Sequence, residues 1–234
     1  MSVEGGPDIV TDGLVLHLDA ANNRSFVSGS TTWFDLSGNR NTGSLVNGPT
    51  YNSANNGTVV FDGTDDYIDC GSSNLFVLGN NFTLDCWVYP TQLGSVDGDE
   101  LLSLGTGATA PYASYGLEWM NTGKFRFLLG NTSDQFLSYL SNTTYSPNIW
   151  YHVCETYNGA TVILYVNAVI ENSVSVSTTI KYLANRLTIG SWYYGIGTNS
   201  ITGRIPVVKL YNRALSAKEI RQNYNASKGR YGLF

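Results

Sequence analysis

Four aspartates, Asp62, Asp65, Asp66 and Asp69, fall within eight residues of the stretch VVFDGTDDYIDCG. Carboxylates at that density suit two jobs. Asp-Gly and Asp-Asp side chains accept hydrogen bonds from nearby main-chain N–H groups and so hold a tight connection between strands. They can also begin a calcium shell, which takes six or more oxygens. The spacing does not follow the twelve-residue calcium-loop pattern, so carbonyls and a distant loop such as SVDGDE, with Asp97, Asp99 and Glu100, would have to complete that shell. We read turn chemistry, with no metal site and no cofactor, and keep calcium as the alternative.

Nucleophilic chemistry has less to work with. His17 and His152 are the only histidines, they are far apart, and no G-x-S-x-G elbow accompanies them. No catalytic residue is assigned. Binding chemistry is better supplied: GSWYYGIGTNS places Trp192, Tyr193 and Tyr194 together just after a strand, and APYASYGLEW adds Tyr112, Tyr115 and Trp119. Aromatic faces stack on the apolar faces of sugar rings, and Tyr and Trp also dominate protein interfaces. Trp192, Tyr193, Tyr194, Tyr112 and Tyr115 are the candidate ligand-binding residues, with Trp119 and Trp192 also readable as core. Asn131, Asp134 and Gln135 in GNTSDQ read either as partners for hydroxyl groups or as an ordinary polar loop.

Short alternating runs must position these groups. DGLVLHLDA sets Leu14, Leu16 and Leu18 against Val15, His17 and Asp19; NFTLDCWVYP sets Phe82, Leu84, Cys86 and Val88 against Thr83, Asp85, Trp87 and Tyr89; GKFRFLLG repeats the pattern with Phe125, Phe127 and Leu129. Period-two runs broken by Gly, Asn, Asp and Pro predict half-buried strands of an antiparallel all-β protein. Asn158-Gly159 predicts a two-residue hairpin turn, and Asn167-Ala168 a second one in which Ala would pay on the order of 1 kcal/mol for a left-handed backbone. LSAKEIRQNYNASKG predicts one short helix, with Ser216 and Glu219 as a capping box, Leu215 and Ile220 as a hydrophobic staple, and Gly229 as the stop.

Composition bounds the partners. Charged residues make up only 13% of the 234, against roughly 25% in ordinary chains, and the net charge of -5 supplies no cationic field for phosphates. Nucleic acid and membrane insertion are therefore excluded as expectations. The odd number of cysteines, Cys70, Cys86 and Cys154, all in apolar runs, predicts buried free thiols. The N-terminus lacks a basic and apolar leader, so synthesis in the cytoplasm is expected. Residues 1–10 read as an N-terminal arm and 11–234 as a single domain.

Taken together, DGLVLHLDAAN, WFDLSGNRNTGSLVNGPTY, VVFDGTDDYIDCG, FTLDCWVYPT, WYHVCETYNGATVILYVNAVI, LTIGSW and GRIPVVKLYNRALSAKEIRQNYNASKGRYG resemble the laminin-G-like (concanavalin A-like lectin/glucanase) jelly rolls, in the family's order from about Asp12 to Gly232. The resemblance implies a two-sheet antiparallel jelly-roll sandwich with one concave sheet and one C-terminal helix. The two ends, GGPDIVTDGLVLHLDAAN and VVKLYNRALSAKEIRQNYNASKGRYG, are similar to a subset common among structural proteins of tailed bacteriophages. That likeness implies a virion location, other virion proteins as partners, a symmetric assembly or homo-oligomer, and polysaccharide gripped through loop aromatics; a free extracellular lectin is the alternative. Glycosidases of this superfamily carry their carboxyl pair as alternating acids on one strand. No such run is present, and Pro206 and Val207 stand where many members carry acidic residues. The expectation is a non-enzymatic module.

Overall fold

A computed structural model describes residues 7–105, 110–182, 186–192 and 199–233. Sixteen strands among them, numbered in chain order, form two antiparallel sheets of eight. The first sheet holds β1 (Leu14–Asp19), β4 (Thr50–Asn52), β5 (Thr58–Asp62), β7 (Phe82–Pro90), β12 (Tyr151–Tyr157), β13 (Thr161–Val166), β14 (Val169–Ser175) and β16 (Thr202–Tyr211). The second holds β2 (Thr32–Trp33), β3 (Gly43–Val46), β6 (Tyr67–Asp69), β8 (Asp99–Gly105), β9 (Ala113–Trp119), β10 (Phe125–Gly130), β11 (Phe136–Leu140) and β15 (Arg186–Ile189). In space they run β14-β13-β12-β7-β16-β5-β4, with β1 also beside β16, and β11-β10-β9-β8-β15-β6-β3-β2. This is the expected jelly-roll sandwich. Pro206, which has no N–H to give a ladder, falls in a register shift of β16. There β16 passes from pairing with β5 to pairing with β1.

The core lies between the sheets, where the alternation predicted it: Leu16, Leu18, Phe82, Leu84, Cys86 and Val88 meet Leu117, Trp119, Phe125, Phe127 and Leu129. One expectation needs correction. The centre of the first sheet is not half-buried, because β7 is dry on both faces. Its outer face is covered by α1 (Ala217–Ser227) and the turn that follows. Trp87 stacks on Tyr224 at 5.6 Å and 14°, and Tyr231 lies 4.2 Å from it. The helix begins at the expected capping box, with Ser216 accepting from Glu219 N–H. It does not stop at Gly229: a 3-10 turn carries the chain to Tyr231, and Gly232, at φ 70, ends it.

The described part of the arm is docked rather than free. Asp8 O accepts from Gln222 Nε2, Val10 N–H donates to Asn223 Oδ1, and Tyr211 Oη donates to Val10 O. Residues 1–6 lie outside the described residues. One of the two turns differs from expectation. Asn158 stays at negative φ and caps a longer loop by accepting from Ala160 and Thr161 N–H, with only Gly159 left-handed. Asn167 and Ala168, at φ 51 and 61, make the two-residue turn with both central residues left-handed. All three thiols are buried and unpaired, as expected. No described helix is long and apolar enough to cross a membrane.

Candidate functional site

The outer face of the second sheet carries the candidate site. A cavity of about 320 Å³ opens there, lined by Trp192, Tyr112, Phe136, Leu128, Asn199, Asp97, Glu100, Glu118 and Arg126, among others. That volume is at the low end of the range ligand pockets span.

The aromatic wall is built around Tyr112. Its ring meets Trp192 edge-on at 6.2 Å and Phe136 edge-on at 5.9 Å. Tyr112 is 42% exposed and sits at φ 55, a conformation costing a non-glycine residue roughly 1 kcal/mol. Such strain at a cavity mouth is the kind that functional sites retain. Gly105 makes room for the opposite end of the wall: a Cβ there would stand 3.2 Å from Trp192 Nε1.

The polar wall comes from strand register. Glu100 of β8 stands directly opposite Glu118 of β9, and Glu118 directly opposite Arg126 of β10. Each side chain leaves the sheet on the face away from the core, so the three groups form a row. Arg126 Nε donates to Glu118 Oε2, and its Nη2 donates to Asp97 O. The loop carrying Asp97 presses close, since a Cβ on Gly98 would stand 2.8 Å from Glu118 Oε2. Asp99, behind it, accepts Ser95 N–H. Glu100 and Glu118 face one another directly across β8 and β9, and each residue is 3% exposed. Glu100 Oε2, with Ser103 Oγ beside it on β8, has no hydrogen-bond partner among the described residues.

Burial pushes the Glu118 carboxyl up to about 7, against the pull of Arg126 and with help from Asp99 and Asp97. Burial, and then the neighbouring Glu118, push Glu100 well above the usual carboxylate range. Two carboxyls this close hold one proton between them more cheaply than two negative charges.

The other sequence candidates are distributed as follows. Trp192 and Tyr112 come together; Tyr193 and Tyr194 lie outside the described residues. Tyr115 is corrected to a core residue: it is fully buried, 5.2 Å from Phe82, with its hydroxyl donating to Phe76 O. Trp119 is likewise core, its Nε1 donating to Gln92 O. Asn131 and Gln135 satisfy one another and their own loop, and Asp134 pairs with Lys181. His152 Nε2 lies 3.1 Å from Asp85 Oδ1, but both are sealed beneath the helix, where no substrate reaches them.

At the aspartates, Asp62 Oδ1 accepts Thr64 N–H and Asp66 Oδ2 accepts Asp62 N–H, which is turn chemistry. Carboxylate oxygens of Asp62, Asp65 and Asp66 lie within 4.8 Å of one another. The SVDGDE carboxylates do not join them; Glu100 and Asp97 line the groove instead. Two of these oxygens are committed to turn N–H groups, and a calcium ion, which takes six to eight oxygens, would need carbonyls and water beside the remaining four. Asp69 is bound to Arg186 across the second sheet.

The family model described as concanavalin A-like lectin/glucanases superfamily matches residues 62–221. The chain belongs to that superfamily. No curated protein matches it by sequence. Among solved structures, this lectin/glucanase fold is similar to the binding domain of Paraclostridial Mosquitocidal Protein 1, at 16% identity and TM-score 0.74 over 95% of this chain and 56% of that one. It is similar to domain 4 of AbnA, an extracellular arabinanase from Geobacillus stearothermophilus solved with arabinotriose, at 17% identity and TM-score 0.67 over 90% and 98%. It is also similar to Trypanosoma rangeli sialidase in complex with the inhibitor DANA, at 20% identity and TM-score 0.68 over 96% and 34%. The chain thus spans just over half of the first and about a third of the last. These likenesses establish the fold, shared by binding domains and by chains of enzymes.

Proposed function

We propose that this chain is a non-catalytic module that binds saccharide in the groove of the second sheet and is carried on a larger assembly, a bacteriophage particle. The observation that carries the binding half is the Tyr112–Trp192–Phe136 wall standing across one cavity from a buried polar row. One side offers faces for sugar rings, and the other offers acceptors for hydroxyl groups. Domain 4 of the arabinanase, a module of nearly the same extent solved with a trisaccharide, supports the reading by analogy.

The carboxyl pair does not have the arrangement that glycoside hydrolysis uses. Retaining glycosidases hold their two carboxyls about 5 Å apart, and inverting ones hold them farther apart to admit water. Here Glu118 is buried and held by Arg126 rather than free to act as a nucleophile, and Glu100 opposite it is equally buried. A glycan array, with and without chelator, tests the binding half: signal on saccharides that survives chelation is expected, and none on any saccharide contradicts it. Release of reducing ends from a bound polysaccharide would contradict the non-catalytic half. The particle half rests on the resemblance of the two chain ends, with other virion proteins as neighbours in a symmetric assembly. A particle reconstruction or pull-down that finds no associated component would contradict it.

A further inference from the structure

With one proton on the Glu100–Glu118 pair the buried row balances Arg126, and Asp97 at the mouth leaves the groove net negative. Three acidic residues and one basic residue line it, and Arg126 is already committed to Glu118 and to the Asp97 carbonyl. Asp97 is exposed at the mouth, and Glu100 is buried with Oε2 lacking a partner among the described residues. A buried acceptor without a donor costs free energy that the right ligand recovers. A hydroxyl supplies a donor but no charge, and an anionic sugar meets like charge. A primary ammonium supplies three donors and a positive charge, and it is attracted to aromatic faces such as those of Tyr112 and Trp192.

We propose that the groove selects saccharides carrying a free amino group, the ammonium lying at Glu100 and the sugar ring against Tyr112 and Trp192. This rests on the saccharide-binding reading and names the class of sugar. The charged groups that face the ammonium are Glu100, Glu118 and Asp97, with Asp99 behind the loop and Arg126 as the opposing cation. Lodging a cation there favours ionisation of the carboxyl pair, so binding releases a proton to solvent from a pair that held one.

The test is isothermal titration of the whole chain with oligomers of glucosamine, N-acetylglucosamine, glucose and galacturonic acid at a mildly acidic pH, where the glucosamine amine is already an ammonium and the carboxyl pair still holds its proton, in two buffers of different ionisation enthalpy. The expected result is that the glucosamine oligomer binds about tenfold or more tightly than its acetylated counterpart, that the galacturonic acid oligomer does not bind, and that the amine's apparent enthalpy alone changes with buffer. Glu100→Gln should remove the preference for the amine while leaving weak binding of the neutral oligomers. Because acetylation alters the ligand rather than the protein, the comparison holds even if that variant folds poorly. Equal or tighter binding of the neutral sugars overturns amine selection and leaves the saccharide groove standing. Binding of no oligomer overturns both.

Discussion

Lys209 Nζ lies 2.5 Å from Asp85 Oδ1 across the β7–β16 pair, and neither side chain is more than 2% exposed. Asp85 Oδ2 also accepts from Asn223 of α1. The pair therefore ties the helix to the sheet whose outer face it closes. Removing one partner strands the other charge, so Lys209→Met should cost about 3–5 kcal/mol, and adding Asp85→Leu should recover most of that loss. Urea unfolding of the single and double variants reads both values. A double variant no more stable than the single would show that the ion pair itself supplies the stability.

Glu155 presents the opposite case, a carboxyl in the core with no partner. It stands opposite Leu84 and Leu164, and both its oxygens lack hydrogen bonds among the described residues. Burial pushes its pKa well above the ordinary value. A folded-state pKa above the unfolded one contributes stability that is complete below about pH 4.5 and declines as pH rises toward the folded value. Glu155→Gln removes that decline. Its stability relative to the wild type should improve as pH rises above about 5, by at most roughly 1.4 kcal/mol per pH unit. A gap that does not change with pH would contradict the assignment.

Ala168, left-handed at φ 61, should be improved by glycine. The expected gain for Ala168→Gly is roughly 0.5–1 kcal/mol, reduced by whatever the methyl contributes against the helix-side cluster. Thermal melting is sufficient to see it, and a lowered melting temperature would mean that packing outweighs strain there.

Tyr112 is the exposed member of the aromatic wall, so Tyr112→Ala should leave the melting temperature near that of the wild type while weakening saccharide binding about tenfold. Loss of binding together with loss of folding would make Tyr112 a structural residue instead.

Alternation carried most of what was readable. It assigned the core faces of β7 and β10, and applied to ASYGLEW it puts Tyr115, Leu117 and Trp119 on one side and Ser114, Gly116 and Glu118 on the other. Tyr115 was therefore identifiable as core; grouping it with nearby aromatics obscured the period. The hairpin at Asn158-Gly159 was visible but its turn type was not, because Asn158 satisfies the loop through its side chain rather than through a left-handed backbone. The burial of the outer face of β7 was hidden for a different reason: a strand cannot announce a helix that arrives some 130 residues later. The Glu100–Glu118 pair was the least legible feature. Cross-strand register creates it: Glu118 is the single acid of β9, and on β8 Glu100 adjoins Asp99, so neither strand carries acids in alternation.

The most direct measurement is a crystal structure of the chain with the tightest-binding oligosaccharide. The account predicts a sugar ring against Tyr112 and Trp192, with polar groups of the sugar reaching Glu100 and Asn199 on the outer face of the second sheet. A saccharide bound at the rim beside Asp62–Asp66, or beneath the helix on the first sheet, would contradict it.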